Sequence, residues 1–515
     1  MPRSPPKPYF QHTLPILIAL ISFSLIKCCS STAYIPNFEL SETILDPIKS
    51  GFRVVGNAPG DNFGASVSTA GDVNGDGFAD IIIGADVKNN NKGEVYVIYG
   101  NLTFSFSDLS LDLTRLDPAT TGFQITGGDI DDHLGLSVSA AGDVNGDGYD
   151  DIIIGAYGKD NKRGTAYVVY GNKTSSLSDL DLSLNALDPK TTGFAIRGSA
   201  DGDHFGWSVS TAGDVNNDGY ADIIVGAPKK SNNRGAAYVI YGNETVEMRN
   251  IDLSSETGGY MITGSADNDY FGSSVSRAGD VNNDGYDDII IGAYGKNNNQ
   301  GVVYVVYGGD KSSLAPIDLA FTALDPAETG FTMTGSAQND YFGYAVSRAG
   351  DVNNDGFDDV VVGAFNSHNQ KGAVYIIFGN LTSSSSGDRG FVITGEMAGD
   401  HLGYSVRAAG DVNGDGYDDV IAGADVTDNS RGTAYIIYGN KASSPSDLDL
   451  GLNALDPETT GFTLTGEASG DHFGYSVSTA GDVNNDGFDD IVIGAYTKNA
   501  VYVVHASSFS FRFHV

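Results

Sequence analysis

Seven times along this chain an aspartate-rich stretch of nine residues recurs, with the residue types and spacing of a loop that wraps a hard cation. The first copy is Asp-Val-Asn-Gly-Asp-Gly-Phe-Ala-Asp at 72–80, and every copy reads Asp-Val-Asn-(Gly/Asn)-Asp-Gly-(Phe/Tyr)-x-Asp. Oxygen-bearing side chains stand at positions 1, 3, 5 and 9, so alternate residues can point inward. Glycine at position 6 permits the sharp turn that brings the ends together. Position 7 would offer its main-chain carbonyl while its ring packs. The candidate ligands are therefore Asp72, Asn74, Asp76, Phe78 and Asp80 in the first loop, and Asp143, Asn145, Asp147, Tyr149 and Asp151 in the second. The third and fourth loops offer Asp214, Asn216, Asp218, Tyr220 and Asp222, then Asp280, Asn282, Asp284, Tyr286 and Asp288. Asp351, Asn353, Asp355, Phe357 and Asp359 follow, then Asp411, Asn413, Asp415, Tyr417 and Asp419. The last set is Asp482, Asn484, Asp486, Phe488 and Asp490. No sulfur or imidazole is among them, which suits Ca²⁺, at up to seven sites.

The loop differs from an EF-hand, which needs Glu at position 12. That place holds Ile83, Ile154, Val225, Ile291, Val362, Ala422 and Ile493. Strand-type sequence follows each loop, so a dockerin-like helix does not fit either. Position 8 is Asp in most copies but Ala79 and Ala221 in two, which removes it from the ligand set. The net charge of −37 argues against binding nucleic acid or an anionic membrane by charge alone, and much of it is accounted for as cation ligand.

Elements at fixed spacing must position these loops. A short alternating run, GFRVVG at Gly51–Gly56, returns as GFQITG, GFAIRG, GYMITG, GFTMTG, GFVITG and GFTLTG. Shortly after each comes an Asp followed two residues later by Phe or Leu and then Gly, as in Asp61-Asn62-Phe63-Gly64. That Asp precedes the first loop Asp by 11 residues in every copy. A small-residue strand (Ala65–Ala70) leads into the loop, and a continuous apolar run (Ile81-Ile82-Ile83-Gly84-Ala85) leaves it. Such a run predicts a strand covered on both faces. Glu94-Val95-Tyr96-Val97-Ile98-Tyr99 predicts the next strand. Loops begin 71, 71, 66, 71, 60 and 71 residues apart, and the shorter intervals fall in the connectors. Four strands in each of seven units predict an all-β, seven-bladed β-propeller. The last unit lacks an outer strand and the N-terminus has one to spare, so Gly51–Gly56 is expected to complete the last blade and close the ring.

The recurring Phe-Gly, the Asp-Val-Asn-x-Asp-Gly loop and the Gly-Ala-(Pro) that follows, complete at Gly226-Ala227-Pro228, together resemble the FG-GAP repeat of integrin α-subunit head domains. The resemblance covers nearly all of residues 51–505 and implies a seven-bladed propeller with Ca²⁺ in loops between blade strands. Integrin α-subunits carry a calcium loop in only some blades, whereas all seven qualify here. Unlike in that family, no leg domains, membrane span or cytoplasmic tail are expected after the propeller.

The remaining segments read as a signal peptide over 1–30, with Arg3 and Lys7 ahead of the apolar run Leu14–Ile26, then a linker over 31–50. The propeller is assigned to 51–508 and a C-terminal tail to 509–515. The only cysteines, Cys28 and Cys29, fall in the leader, so no disulfide is expected in the mature domain. Asn101, Asn172, Asn243 and Asn380 begin Asn-x-Thr glycosylation acceptors. His133, His204, His401 and His472 occupy one slot that elsewhere holds Asn or Tyr, which reads as packing or hydrogen bonding. There is no Gly-x-Ser-x-Gly elbow, His-Glu-x-x-His pair, phosphate loop or mature cysteine nucleophile. The function expected is a monomeric, secreted or surface calcium-binding propeller that recognises an extracellular protein or glycan, with no membrane span in the mature chain. The competing expectations are an extracellular hydrolase or lyase on polysaccharide or phosphoester, and a calcium-dependent structural surface component.

Overall fold

The apolar runs after the loops can be buried on both faces only if sheets stack on sheets. The computed structural model of the chain does this with seven sheets, each built around four antiparallel strands. It describes residues 38–39, 51–101, 116–173, 177–184, 186–244, 249–255, 258–311, 314–379, 389–440 and 447–506. All of these belong to one unit, Asn37–Val515. The expected signal peptide, most of the expected linker, the C-terminal tail and the Asn380 acceptor lie outside the described residues.

In the first blade the strands run outward as Ser66–Gly71, Asp80–Ala85, Glu94–Ile98 and Gly122–Thr126. The inner strands of successive blades contact one another in sequence order, and the seventh, Phe473–Gly481, meets the first, Ser66–Gly71. The ring is therefore closed. Alternate residues of one strand enter different interblade cores. Ile81 and Ile83 join a cluster with Val492, Val501 and Val503 of the last blade, while Ile82 joins one with Val138, Ile152 and Ile154 of the second. That double burial is what an uninterrupted apolar run encodes.

Closure follows the expected route. Phe52–Val55 pairs antiparallel with Ala500–Val504, with Phe52 opposite Val503 and Val54 opposite Val501, and forms the outer strand of the last blade. Within the stretch read as a linker, Phe38–Glu39 pairs in parallel with Leu464–Thr465 of the sixth blade. Connectors do the same elsewhere: Leu180–Asp181 adds a fifth, parallel strand beside Gly122–Thr126, and Leu448–Asp449 beside Gly390–Thr394. Each such pair ties a blade to the chain of the next. Among the described residues six one-turn segments, the first at Lys88–Asn91, have left-handed φ/ψ in the middle (Asn89 φ 56°, Asn90 φ 59°). They are tight turns that hold the following blade, as where Asn91 O accepts from His133 N at 2.8 Å.

Candidate metal loops and the opposite face

Each inner strand runs from the Phe-Gly turn at one end to the aspartate loop at the other, so the loops gather on one face of the ring and the Phe-Gly turns on the opposite face. In the first loop, Asp72 Oδ1 accepts from Gly75 N (2.7 Å) and Asp76 N (3.0 Å), and Asp72 Oδ2 accepts from Gly77 N (2.9 Å). Asp76 Oδ1 accepts from Phe78 N at 3.0 Å, and Asn74 Oδ1 from Asp76 N at 2.9 Å. The closing residue, Asp80, accepts from Val73 N at 3.0 Å and, across the blade, from Gly100 N at 2.9 Å. The bonds from positions 1, 5 and 9 recur in the other loops, as at Asp351, Asp355 and Asp359. Position 4 alternates between Gly and Asn because its φ is left-handed, 72° at Gly75 and 55° at Asn217.

Position 9 is the electrostatic centre. Asp80, Asp151, Asp222, Asp288, Asp359, Asp419 and Asp490 are all fully buried. Burial pushes Asp222, Asp288, Asp359 and Asp419 up to about 8 against the opposing pull of their amide donors, with the loop's other aspartates adding to the rise. Asp80 and Asp151 are raised for the same reason. No basic side chain of the described residues pairs with these six. The seventh differs: His505 Nδ1 lies 3.0 Å from Asp490 Oδ2, and Ala506 N, in place of a glycine amide, donates to Oδ1 at 3.0 Å.

This donor set fits a hard divalent cation. It is all oxygen, it contains buried carboxylates without counter-charge, and in the third loop Asn216 Oδ1 is buried with no hydrogen-bond partner. Asp72 uses three of about four acceptor positions and Asp76 only one, so capacity remains. The side chains are brought to one loop but not drawn into a closed cage. Among the described residues, no three His, Cys, Asp or Glu side chains are grouped closely enough to hold a metal as they stand. The amides occupy the carboxylates instead.

Position 8, set aside as a ligand, links the blades. Asp150 Oδ2 accepts from Asp72 N of the preceding blade at 2.9 Å, and Asp287, Asp358 and Asp418 repeat the bond to Asp214, Asp280 and Asp351. Where position 8 is alanine the link is main-chain only, from Ala221 N to Asp143 O (3.0 Å) and, closing the ring, from Ala79 N to Asp482 O (3.1 Å). The signal was present in sequence, as an Asp that two blades do without. Asp287→Ala should cost about 1 kcal/mol in denaturant unfolding, because it leaves the partly buried Asp214 amide without its acceptor, while the partly exposed Arg277 partner adds little. Asp287→Asn should recover most of that loss. An Asp287→Ala protein as stable as the parent would remove the linking role.

On the opposite face, the Asp two residues before the Phe-Gly or Leu-Gly step caps its turn in five blades, as where Asp132 accepts from Asp129 N at 2.9 Å and Asp340 from Ala337 N at 2.7 Å. The slot after it is left-handed throughout, from Asn62 (φ 58°) to His472 (φ 53°). His133 lies 3.1 Å from Asp86 and His472 lies 2.9 Å from Asp425, each joining neighbouring blades. Among the described residues no helix is long and apolar enough to cross a membrane.

Comparison with known proteins matches the FG-GAP repeat at residues 63–98, 134–169, 205–240, 271–306, 342–377, 402–437 and 473–504. Integrin alpha-5 of Xenopus laevis is 32% identical over 286 residues, covering 53% of this chain and 24% of that protein. Integrin alpha-V of Gallus gallus is 31% identical over 252 residues, or 48% of this chain and 21% of that protein. Integrin alpha pat-2 of Caenorhabditis elegans is 33% identical over 251 residues, or 46% and 18%. The chain thus spans a quarter or less of these relatives.

Proposed function

The chain belongs to the FG-GAP repeat proteins, with a propeller like that of integrin α-subunits, and from this we propose that it is a secreted or cell-surface, calcium-loaded module for extracellular recognition. The observation that carries the reading is the sevenfold buried closing aspartate, paired with a basic side chain in only one blade among the described residues. A fully buried carboxylate without counter-charge is expensive to keep ionised, and Ca²⁺ bound beside it offsets that cost in the native loop only. In this reading Asp72, Asn74, Asp76, the Phe78 carbonyl and Asp80, with their six counterparts, hold the ions. The cation supplies rigidity and no reaction step. The main-chain bonds between position 8 of one blade and position 1 of the preceding one carry that rigidity across six of the seven junctions.

Recognition is assigned to the Phe-Gly face. The described glycosylation acceptors Asn101, Asn172 and Asn243 all lie on the loop side, where their amides donate to Val483, Val73 and Val144 of the preceding loops. Glycans there would leave the opposite face free for a protein or glycan partner. Immobilised full-length chain should retain one or a few components of the organism's own surface extract in millimolar Ca²⁺ and release them in EGTA. Equal retention under both conditions, or none in either, would count against calcium-dependent recognition.

A further inference from the structure

The axis of the propeller holds a cavity of about 350 Å³ that opens on the Phe-Gly face, within the size range of small-molecule sites. Its mouth is asymmetric. The residue that follows each Phe-Gly or Leu-Gly step is Ala65, Leu136, Trp207 or Ser273 in the first four blades but Tyr344, Tyr404 and Tyr475 in the last three. Those tyrosines form a contiguous wall: Tyr344 Oη donates to Tyr404 Oη at 3.2 Å, Tyr404 Oη donates to Tyr475 Oη at 3.3 Å, and successive ring centroids are 5.1 Å apart.

Below the wall the sevenfold pattern breaks once. The third residue of the inner-strand motif is Ser68, Ser139, Ser210, Ser276, Ser347 and Ser478 in six blades, and Arg407 in the sixth. Arg407 lines the cavity. Its Nη1 donates to Val346 O of the neighbouring blade at 3.1 Å, which sets the guanidinium about 7 Å beneath the start of the Tyr344 strand, at roughly 3.3 Å per residue. That is one bond for a group with five N–H donors. Arg53, Arg163, Arg197, Arg234, Arg277, Arg348 and Arg431 all pair with carboxylates, but no described carboxylate pairs with Arg407. Of the acidic groups nearby, Asp86 Oδ2 lies against His133 and Asp425 Oδ2 against His472, and neither residue pairs with Arg407. In a chain with 66 acidic and 29 basic residues, a cation left without an acid inside the axial cavity is unusual.

We propose that the axial cavity binds a singly charged carboxylate carried on a compact apolar or aromatic body, with the carboxylate on Arg407 and the body against the Tyr344–Tyr404–Tyr475 wall. Guanidinium and carboxylate match in geometry, and an enclosed, unpaired guanidinium strengthens such a pair. Burial lowers the proton affinity of Arg407, as expected of a cation short of a partner. The tyrosine wall gives the aromatic body an offset-stacking surface. The carboxylate can come from a free small acid or from the side chain of an Asp or Glu on a partner protein. The site deepens the recognition reading by placing a pocket on the same face, yet its test involves neither surface extract nor calcium removal, so the two fail separately.

Trp207, the only tryptophan, lines the cavity and reports on it. Phenylacetate should change the Trp207 fluorescence of the full-length protein saturably and bind by calorimetry. Phenylacetamide, its uncharged isostere, should bind at least tenfold more weakly. Arg407→Ser restores the residue that the other six blades carry and should fold with an unchanged far-ultraviolet spectrum while losing at least tenfold in phenylacetate affinity. Arg407→Lys should fall between. A capped peptide with a single Glu, titrated in parallel, assigns the source: tighter binding than phenylacetate points to a partner's side chain, weaker binding to a free acid. Equal affinity for phenylacetate and phenylacetamide, an Arg407→Ser protein that binds as well as the parent, or no saturation by either carboxylate would overturn the proposal and leave Arg407 as a plug.

Discussion

Stripping the purified chain with EGTA at pH 8 is expected to lower its melting temperature by more than about 10 °C, and restoring Ca²⁺ to recover it. At ten times its dissociation constant a bound ion contributes about 1.4 kcal/mol, so seven sites supply on the order of 10 kcal/mol, comparable with the whole stability of a typical domain. The dependence on pH gives this result a sign that a generic salt effect would not share. Asp222, Asp288, Asp359 and Asp419 sit near 8 without the cation, pushed up by burial. Their unfolded value is about 3.9. A group raised on folding contributes stability that is full below its unfolded pKa and is lost as pH climbs through its folded one. Cation-free protein should therefore melt lower at pH 8 than at pH 5. Calcium requires the ionised carboxylate, so its protection should grow over the same interval. Asp222→Asn makes one closing group neutral at every pH. It should reduce bound calcium by one ion while making the cation-free protein more stable at pH 8. Identical melting curves with and without EGTA at pH 8 would refute the calcium reading outright.

The loops, the strand order and the closing strand were legible because each rests on a periodic signal that a single chain repeats seven times. The run Ile81–Ile83 could be read as doubly covered, and it is, one face toward the last blade and one toward the second. What was not legible lies between repeats. Position 8 varied between Asp and Ala, and that variation concealed a carboxylate whose partner is an amide some 70 residues away, in another blade. Within the expected linker over 31–50, Phe38-Glu39-Leu40-Ser41 and Leu45-Asp46-Pro47 match Leu180-Asp181-Leu182-Ser183 and Leu187-Asp188-Pro189 of a connector in sequence. The first of these pairs is a strand in both places. Alternation cannot be seen in two residues, so only the comparison with a connector would have found it. Arg407 was missed for the opposite reason. A repeat reader averages over seven copies, and the one departure from serine is what the average removes.

Deleting Gly51–Gly56 is expected to make the chain aggregate, the other large effect this architecture implies. The strand is the outer edge of the last blade, and without it the main chain of Ala500–Val504 loses its partner while Val501 and Val503, both fully buried, lose the Phe52 and Val54 side chains that cover them. An exposed apolar edge templates pairing with another chain. The strand also anchors charge. Arg53 meets Glu467 at 2.7 Å, and Tyr502 Oη donates to the same Glu467 oxygen at 2.8 Å while Lys498 approaches the other at 3.0 Å, so one carboxylate at the start of the seventh unit gathers both ends of the chain. Burial alone would raise Glu467, but the bonds from Lys498 and Tyr502 and the Arg53 charge outweigh it and hold it below the ordinary range. Graded substitutions separate packing from pairing. Phe52→Ala should cost about 3–5 kcal/mol by cavity formation, whereas Val54→Asp buries an unpaired charge and should resemble the deletion. A synthetic peptide covering residues 37–56, added during refolding of the deleted chain, should suppress that aggregation by donating the missing strand. A deletion protein that does not aggregate and melts like the parent would mean that the ring is held by the loop-face links between blades, with the terminal strand an accessory.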